Sequence, residues 1–171
     1  ELSLKQSSVA GHNSLSLNGY APLLRQGDRF LPSSYRSSSC NADFQACDNF
    51  ASVKFSHDGF SRLGLGKIIH SREFVFSPTK VLIVDELTGG GMVEIEHFFH
   101  MPADDKKLCM KNTEPEYVEL VRKNEIVPSE SLITGWQTCS YGKKNPVKTK
   151  VFKSVGQLPM KFKFKIDKSR S

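Results

Sequence analysis

The sequence predicts an all-β protein, a large antiparallel β-sandwich of about ten to twelve strands. Three observations carry that prediction. Three β-rich runs, 67–76, 80–87 and 92–100, are separated by Ser77-Pro78-Thr79 and Thr88-Gly89-Gly90-Gly91, the residue types that tight turns demand. Met160, Phe162, Phe164 and Ile166 alternate with Lys161, Lys163 and Lys165, a period of two that turns one apolar face inward. No stretch carries the apolar spacing of an amphipathic helix.

Taken in order, Leu2 and Leu4 alternate with polar residues in 1–10, which suits a strand. Residues 12–17 alternate again and end at Asn18-Gly19, a strong hairpin-turn signal. Residues 21–31 carry Pro22 and Gly27 and read as a loop with a short strand. The segment 33–48 is poor in apolar residues and rich in Ser, Asn and Asp, groups that bond their own backbone, so it reads as loop. Phe50, Ala51, Val53 and Phe55 restore a strand pattern over 49–56. The three central runs then read as two hairpins in series, a meander. Residues 104–111 read as a polar connection, 117–120 and 125–127 as short strands, and 132–138 as a strand holding the only tryptophan, Trp136. A turn-rich basic link at 140–146 leads to the last strands, 147–155 and 160–166. One β-sandwich domain over 1–171 is the expected organisation.

The 171 residues, 38% hydrophobic and 25% charged, suffice for one domain with a core. No run of roughly 18 apolar residues suggests a transmembrane helix. The start lacks a basic segment followed by an apolar one and so does not read as a signal peptide; with no initiator Met, the chain reads as a mature or excised piece. The net charge of +6 makes the surface hospitable to polyanions. Charge alone supports nucleic acid, so neither nucleic acid nor membrane is an expected partner. Cys40, Cys47, Cys109 and Cys139 contain no C-x-x-C pair, which argues against a cysteine-rich zinc module. Cys40 and Cys47 could form a local disulfide or remain free thiols.

Histidine is the natural candidate for chemistry near neutral pH. His97 and His100 stand three apart, which places them on opposite faces of a strand and makes them a poor chelating pair. His57-Asp58-Gly59 could be an acid/base pair, but a turn cap with Asp58 bonding backbone amides is the plainer account. Arg72, between His70 and Glu73, reads as part of a surface charge ladder. His12-Asn13 at the head of a strand reads as a capping pair. The signatures G-x-S-x-G, H-E-x-x-H and a phosphate-binding glycine loop do not occur, and no catalytic residue is assigned.

Several stretches, in order, resemble the heparinase II/III-like polysaccharide lyases. Ala10-Gly11-His12-Asn13-Ser14-Leu15-Ser16-Leu17-Asn18-Gly19 is similar to that family's A-H-N-T-hydrophobic-x-hydrophobic-[DN]-G segment, with Gly11 before the His and Ser14 for Thr. His57-Asp58-Gly59-Phe60-Ser61-Arg62-Leu63 resembles H-D-G-Y-x-R-L, with Phe for Tyr. His70-Ser71-Arg72, Leu82-Ile83-Val84-Asp85-Glu86-Leu87-Thr88-Gly89, 97–102, and Ser140-Tyr141-Gly142 with Leu158-Pro159 resemble the remaining pieces. The likeness spans about residues 8–166.

The resemblance implies the C-terminal β-sandwich of an enzyme that cleaves uronic-acid-containing acidic polysaccharide by β-elimination. In that family a base removes the C5 proton and a Tyr protonates the leaving oxygen, both supplied by an N-terminal α/α toroid. The toroid is not in this chain, so the chain alone is expected to be inactive, supporting the toroid and lining the substrate cleft. Expected partners are the acidic polysaccharide and the parent's toroid; the expected location is periplasmic or secreted in a bacterial parent. The family's sandwich often holds zinc between two His and an Asp. His12 matches one ligand and the others are expected upstream. The alternative is a non-catalytic carbohydrate-binding or structural sandwich, displaying Tyr20, Tyr35, Trp136 or Tyr141.

Overall fold

The computed structural model describes residues 13–22, 25–26, 29–30, 40–100, 108–112, 129–140 and 143–168. They form twelve strands. In chain order these are β1 (Leu15–Leu17), β2 (Arg25–Gln26), β3 (Arg29–Phe30), β4 (Cys40–Cys47), β5 (Phe50–His57), β6 (Ile69–Phe76), β7 (Lys80–Thr88), β8 (Met92–His100), β9 (Leu108–Asn112), β10 (Ser129–Ser140), β11 (Lys143–Gln157) and β12 (Met160–Lys168). One 3₁₀ turn, Ser61–Leu63, is the single helical element among the described residues. A four-stranded sheet runs β1-β8-β11-β10, a six-stranded sheet runs β4-β5-β6-β7-β12-β9, and β2-β3 form a small hairpin. Every pairing is antiparallel. The sandwich expected from the sequence is present.

The Asn18-Gly19 signal works as expected. Asn18 and Gly19 take φ of 50° and 75°, and Leu17 and Tyr20 exchange backbone hydrogen bonds at 3.1 and 2.9 Å, the geometry that suits two residues of positive φ. The central meander is half correct. β6 and β7 are a hairpin, but β7 and β8 are not partners: β7 pairs with β12 and β8 with β1 and β11. Residues 89–91 therefore carry the chain from one sheet to the other. Gly89 (φ 130°) takes the bend where a Cβ would meet the Lys67 carbonyl oxygen at 3.0 Å. Leu158-Pro159 makes the reverse crossing from β11 to β12, and Leu158 N–H donates to Gly91 O at 3.0 Å, tying the two crossings together.

Three loop expectations are corrected. Residues 40–47 are a strand, with Asn41, Asp43 and Gln45 alternating against Ala42, Phe44 and Ala46; small alanines hid the period. Residues 108–112 form β9 on the edge beside β12. The basic link is shorter than read, because β11 already begins at Lys143 and Pro146 lies across from Trp136. The strands expected at 1–10, 117–120 and 125–127 lie outside the described residues. The local disulfide is also excluded. Cys40 and Cys47 end the eight-residue β4, roughly 23 Å apart on an extended strand, whereas a disulfide needs Cα atoms within about 7 Å. Cys47 is free and exposed.

The core lies between the sheets. Phe162 and Phe164 of β12 are buried while Lys161, Lys163 and Lys165 point away from it, as the alternation demanded. Phe99, Phe152 and Phe164 form an aromatic triad with ring centroids 4.7–6.0 Å apart. Leu15, Leu17, Ile83, Leu87, Val93 and Ile95 surround it. Each such side chain stabilises the fold by about 1.5–3 kcal/mol through loss of apolar surface to water.

Candidate functional site

Beside this apolar core lies a polar network centred on Asp85. Within β7, Asp85 shares the inward parity of Ile83 and Leu87. A fully buried carboxylate is costly unless donors and a cation surround it. Here they do. Arg72, its cross-strand partner on β6, donates from Nε to Oδ1 and from Nη2 to Oδ2, both at 2.7 Å. His70 Nε2 lies 2.9 Å from Oδ1. From the opposite sheet, His97 Nε2 approaches Oδ2 at 3.4 Å, a looser contact that leaves the ring nitrogen without a hydrogen bond of good geometry. The His97 ring is packed on Phe162 and Phe164. Arg72 Nη1 also donates to the Asn13 carbonyl, so one guanidinium joins β6, β7 and the entry to β1.

The network continues outward. His57 Nε2 lies 3.1 Å from His70 Nδ1, and Gly59 N–H donates to His57 Nδ1 at 3.2 Å. A backbone amide can only donate, so His57 Nδ1 must accept and its proton sits on Nε2. That proton faces His70 Nδ1, which leaves the His70 proton on Nε2, facing Asp85. The direction is set from Gly59 through His57 and His70 to the carboxylate. Burial first, then the neighbouring His70, lowers the His57 pKa to about 4, in keeping with a neutral ring. Burial alone would push the Asp85 carboxyl up; the Arg72 charge, and the His70, His97 and Arg72 N–H groups around it, overcome burial and hold it well below the usual carboxylate range. Burial lowers His97 despite the nearby Asp85.

A second cluster fixes the loop carrying His57. Arg62 Nη1 donates to Pro22 O at 2.8 Å and to Gly59 O, and Nη2 donates to Ala21 O. A Cβ on Gly59 would sit 2.5 Å from Pro22 O. Ser61 Oγ donates to Ile68 O and accepts from Ile68 N. The His57–Leu63 motif is thus a clamp between the turn after β5 and the segment after β1.

One expectation changes. Arg72 is no surface ladder: it shares a face with His70, turned inward, while Glu73 takes the other. At the His57-Asp58-Gly59 turn the His57 ring accepts from Gly59 N–H and the Asp58 backbone carbonyl accepts from Ser61 N. Both His57 nitrogens are engaged, Nδ1 by the Gly59 amide and Nε2 by His70. His97 and His100 do lie on opposite faces of β8: His97 is fully buried, while His100 bonds Thr149 Oγ1 and its amide donates to Asn13 Oδ1. His12 lies outside the described residues, as do the side chains of Tyr35, Trp136 and Tyr141; Tyr20 is exposed. Asp85 entered the sequence reading only as part of a strand, although its parity with Ile83 and Leu87 already marked it as inward-facing.

The described residues do not fit a metal ion. His70, His97 and Asp85 have the composition of a zinc site, but Arg72 covers both carboxylate oxygens with a fixed positive charge. No group of three or more metal-ligating side chains is disposed around a common point among the described residues.

Comparison with known proteins agrees with this architecture. The family described as Heparinase II/III-like, C-terminal, matches residues 6–165. The fold is similar to that of heparan sulfate lyase HepC from Pedobacter heparinus, with a TM-score of 0.66 and 11% identity over 97% of this chain and 25% of that chain. It is also similar to the heparinase III BT4657 gene product, with a TM-score of 0.57 and 15% identity over 91% of this chain and 23% of that one. The chain spans about a quarter of the length of these solved structures. No curated protein matches.

Proposed function

The chain belongs to the heparinase II/III-like C-terminal family, and on that premise we propose that it serves a longer polysaccharide lyase as its non-catalytic β-sandwich. In this proposal the whole protein cleaves uronic-acid-containing acidic polysaccharide by β-elimination. The C5 proton leaves to a base, the bond to the 4-linked oxygen breaks, and that oxygen takes a proton, all on groups of the N-terminal toroid. The sandwich supports the toroid and lines the cleft. The observation that carries this is the family match over 6–165. The basic surface of net charge +6 favours an anionic polymer by long-range attraction.

A periplasmic or secreted location belongs to the same proposal; no helix among the described residues is long and apolar enough to cross a membrane. Zinc belongs to the same proposal through His12, with the remaining ligands upstream as the family resemblance implies. The test is to incubate the longer polypeptide with uronate-containing and with neutral polysaccharides and follow the ultraviolet absorbance of the unsaturated product. Absorbance should rise with the uronate polymers alone. No rise with any of them, or equal cleavage of neutral polymers, contradicts the assignment.

A further inference from the structure

The hydrogen bonds that run from Gly59 to Asp85 leave no place for another proton. His57 Nδ1 accepts from Gly59 N–H at 3.2 Å, His57 Nε2 donates to His70 Nδ1 at 3.1 Å, and His70 Nε2 donates to Asp85 Oδ1 at 2.9 Å. Two ring lone pairs could take a proton, on His57 Nδ1 and on His70 Nδ1, and each already faces a donor. A proton on His57 Nδ1 sets one N–H against the Gly59 N–H. A proton on His70 Nδ1 sets one against His57 Nε2–H, and moving the His57 proton to Nδ1 only returns the conflict to Gly59. The far end gives no outlet, because both Asp85 oxygens already accept from the fixed cation of Arg72.

The ring cannot turn aside alone. Its centroid lies 5.8 Å from that of Phe60, which is fully buried, and 5.0 Å from that of His70. Gly59 is pressed in turn on the segment after β1: a Cβ there would sit 2.5 Å from Pro22 O. Arg62 binds Gly59 O together with the carbonyls of Ala21 and Pro22. Loss of the Gly59–His57 bond therefore displaces the backbone on which the clamp is built. We propose that His57 makes this clamp an acid-sensitive latch, closed while the ring is neutral and opened when a proton enters at Nδ1, which frees 57–63 from 20–22 while the two sheets stay intact.

The charged and titratable groups around His57 are Asp58 on its own turn, His70 and Arg72 on β6, and Asp85 on β7; Arg62 reaches the same turn at Gly59 O. Burial, His70 and Arg72 oppose the proton, and Asp58 and Asp85 attract it, so the closed ring stands at about 4 against the ordinary 6.5. A lowered histidine pKa favours the closed form above about pH 6.5 and progressively less as pH falls toward 4. Opening becomes easier by up to about tenfold per pH unit across that window.

Hydrogen exchange on the 171-residue chain, corrected for the intrinsic pH dependence of exchange, tests the latch. The amides of Gly59, Ser61 and Leu63 are bonded to His57 Nδ1, Asp58 O and Phe60 O in the closed form. Their protection should fall by at least about tenfold between pH 6.5 and 4.5, while the β7–β12 ladder keeps its own. Constant protection at 57–63, or a fall shared equally by the ladder, overturns the inference. His57→Gln should make protection at 57–63 independent of pH, and a fall that persists in that variant also overturns it. Asp58→Asn keeps the ring and removes a charge that attracts the proton, so the midpoint of opening should move to lower pH. An unmoved midpoint contradicts the entry of the proton at His57.

Discussion

Arg72 and Asp85 face each other across the β6–β7 ladder, and the guanidinium meets both carboxylate oxygens at 2.7 Å. That pair brings two charges into a sandwich interior that is otherwise largely apolar. Its worth lies less in net stability than in the cost of breaking it, since the remaining charge would be buried alone. Arg72→Ala is expected to destabilise the chain by about 3–5 kcal/mol in urea denaturation. Joint replacement of Arg72 by Met and Asp85 by Leu is expected to cost much less than the sum of the single changes, because neither charge is then left unpaired. A double variant as unstable as the sum contradicts this.

Acid should loosen the network from its outer end. The His57 pKa is lowered from 6.5 to about 4 in the folded chain, so the unfolded chain binds the proton first as pH falls. The stabilisation is complete above about pH 6.5 and is lost progressively down to about pH 4. Partial exposure of the ring limits the loss to roughly 1–3 kcal/mol. His57→Gln should flatten this part of the pH–stability curve, and an unchanged curve contradicts the assignment. Asp85, held well below the usual range, adds its own loss only at more acidic pH.

Gly59→Ala should cost about 1–3 kcal/mol, since the new methyl meets Pro22 O at 2.5 Å and the clamp must shift. Arg62→Ala should weaken the same place by freeing the carbonyls of Ala21, Pro22 and Gly59. Hydrogen exchange at Tyr20 and His57–Leu63 should rise in both variants, while the β7–β12 ladder stays protected.

Phe164→Ala removes the ring shared by Phe99, Phe152 and His97 and should cost about 3–5 kcal/mol. Cys47 should react with iodoacetamide in the native chain, and no oxidant should yield a Cys40–Cys47 bridge without unfolding β4.

The strands were legible where alternation was strong. Met160–Ile166 announced its inward face, Asn18-Gly19 its turn, and the spacing of His97 and His100 their separation. Sheet membership was not legible. Thr88-Gly89-Gly90-Gly91 looks locally like any hairpin turn, and only the competing partners of β7 and β8 show it to be a crossing. β4 was missed because Ala42 and Ala46 register weakly as apolar. The polar network was missed for a different reason: Arg72 and Asp85 are charged, and sequence assigns charges to the surface unless a partner is known. That partner lies across a strand pair whose register becomes definite only in three dimensions. His12 rests on the family resemblance rather than on any local signal.

The central claim is that these residues hold the sandwich together and perform no cleavage themselves. The most direct measurement is β-elimination by the purified 171-residue chain on a uronate-containing polysaccharide that the longer polypeptide cleaves, followed as ultraviolet absorbance of the unsaturated product. The account predicts no turnover by the chain alone, because it assigns the base and the acid to the toroid. Sustained turnover that falls on His57→Ala would contradict it and place the chemistry in this domain.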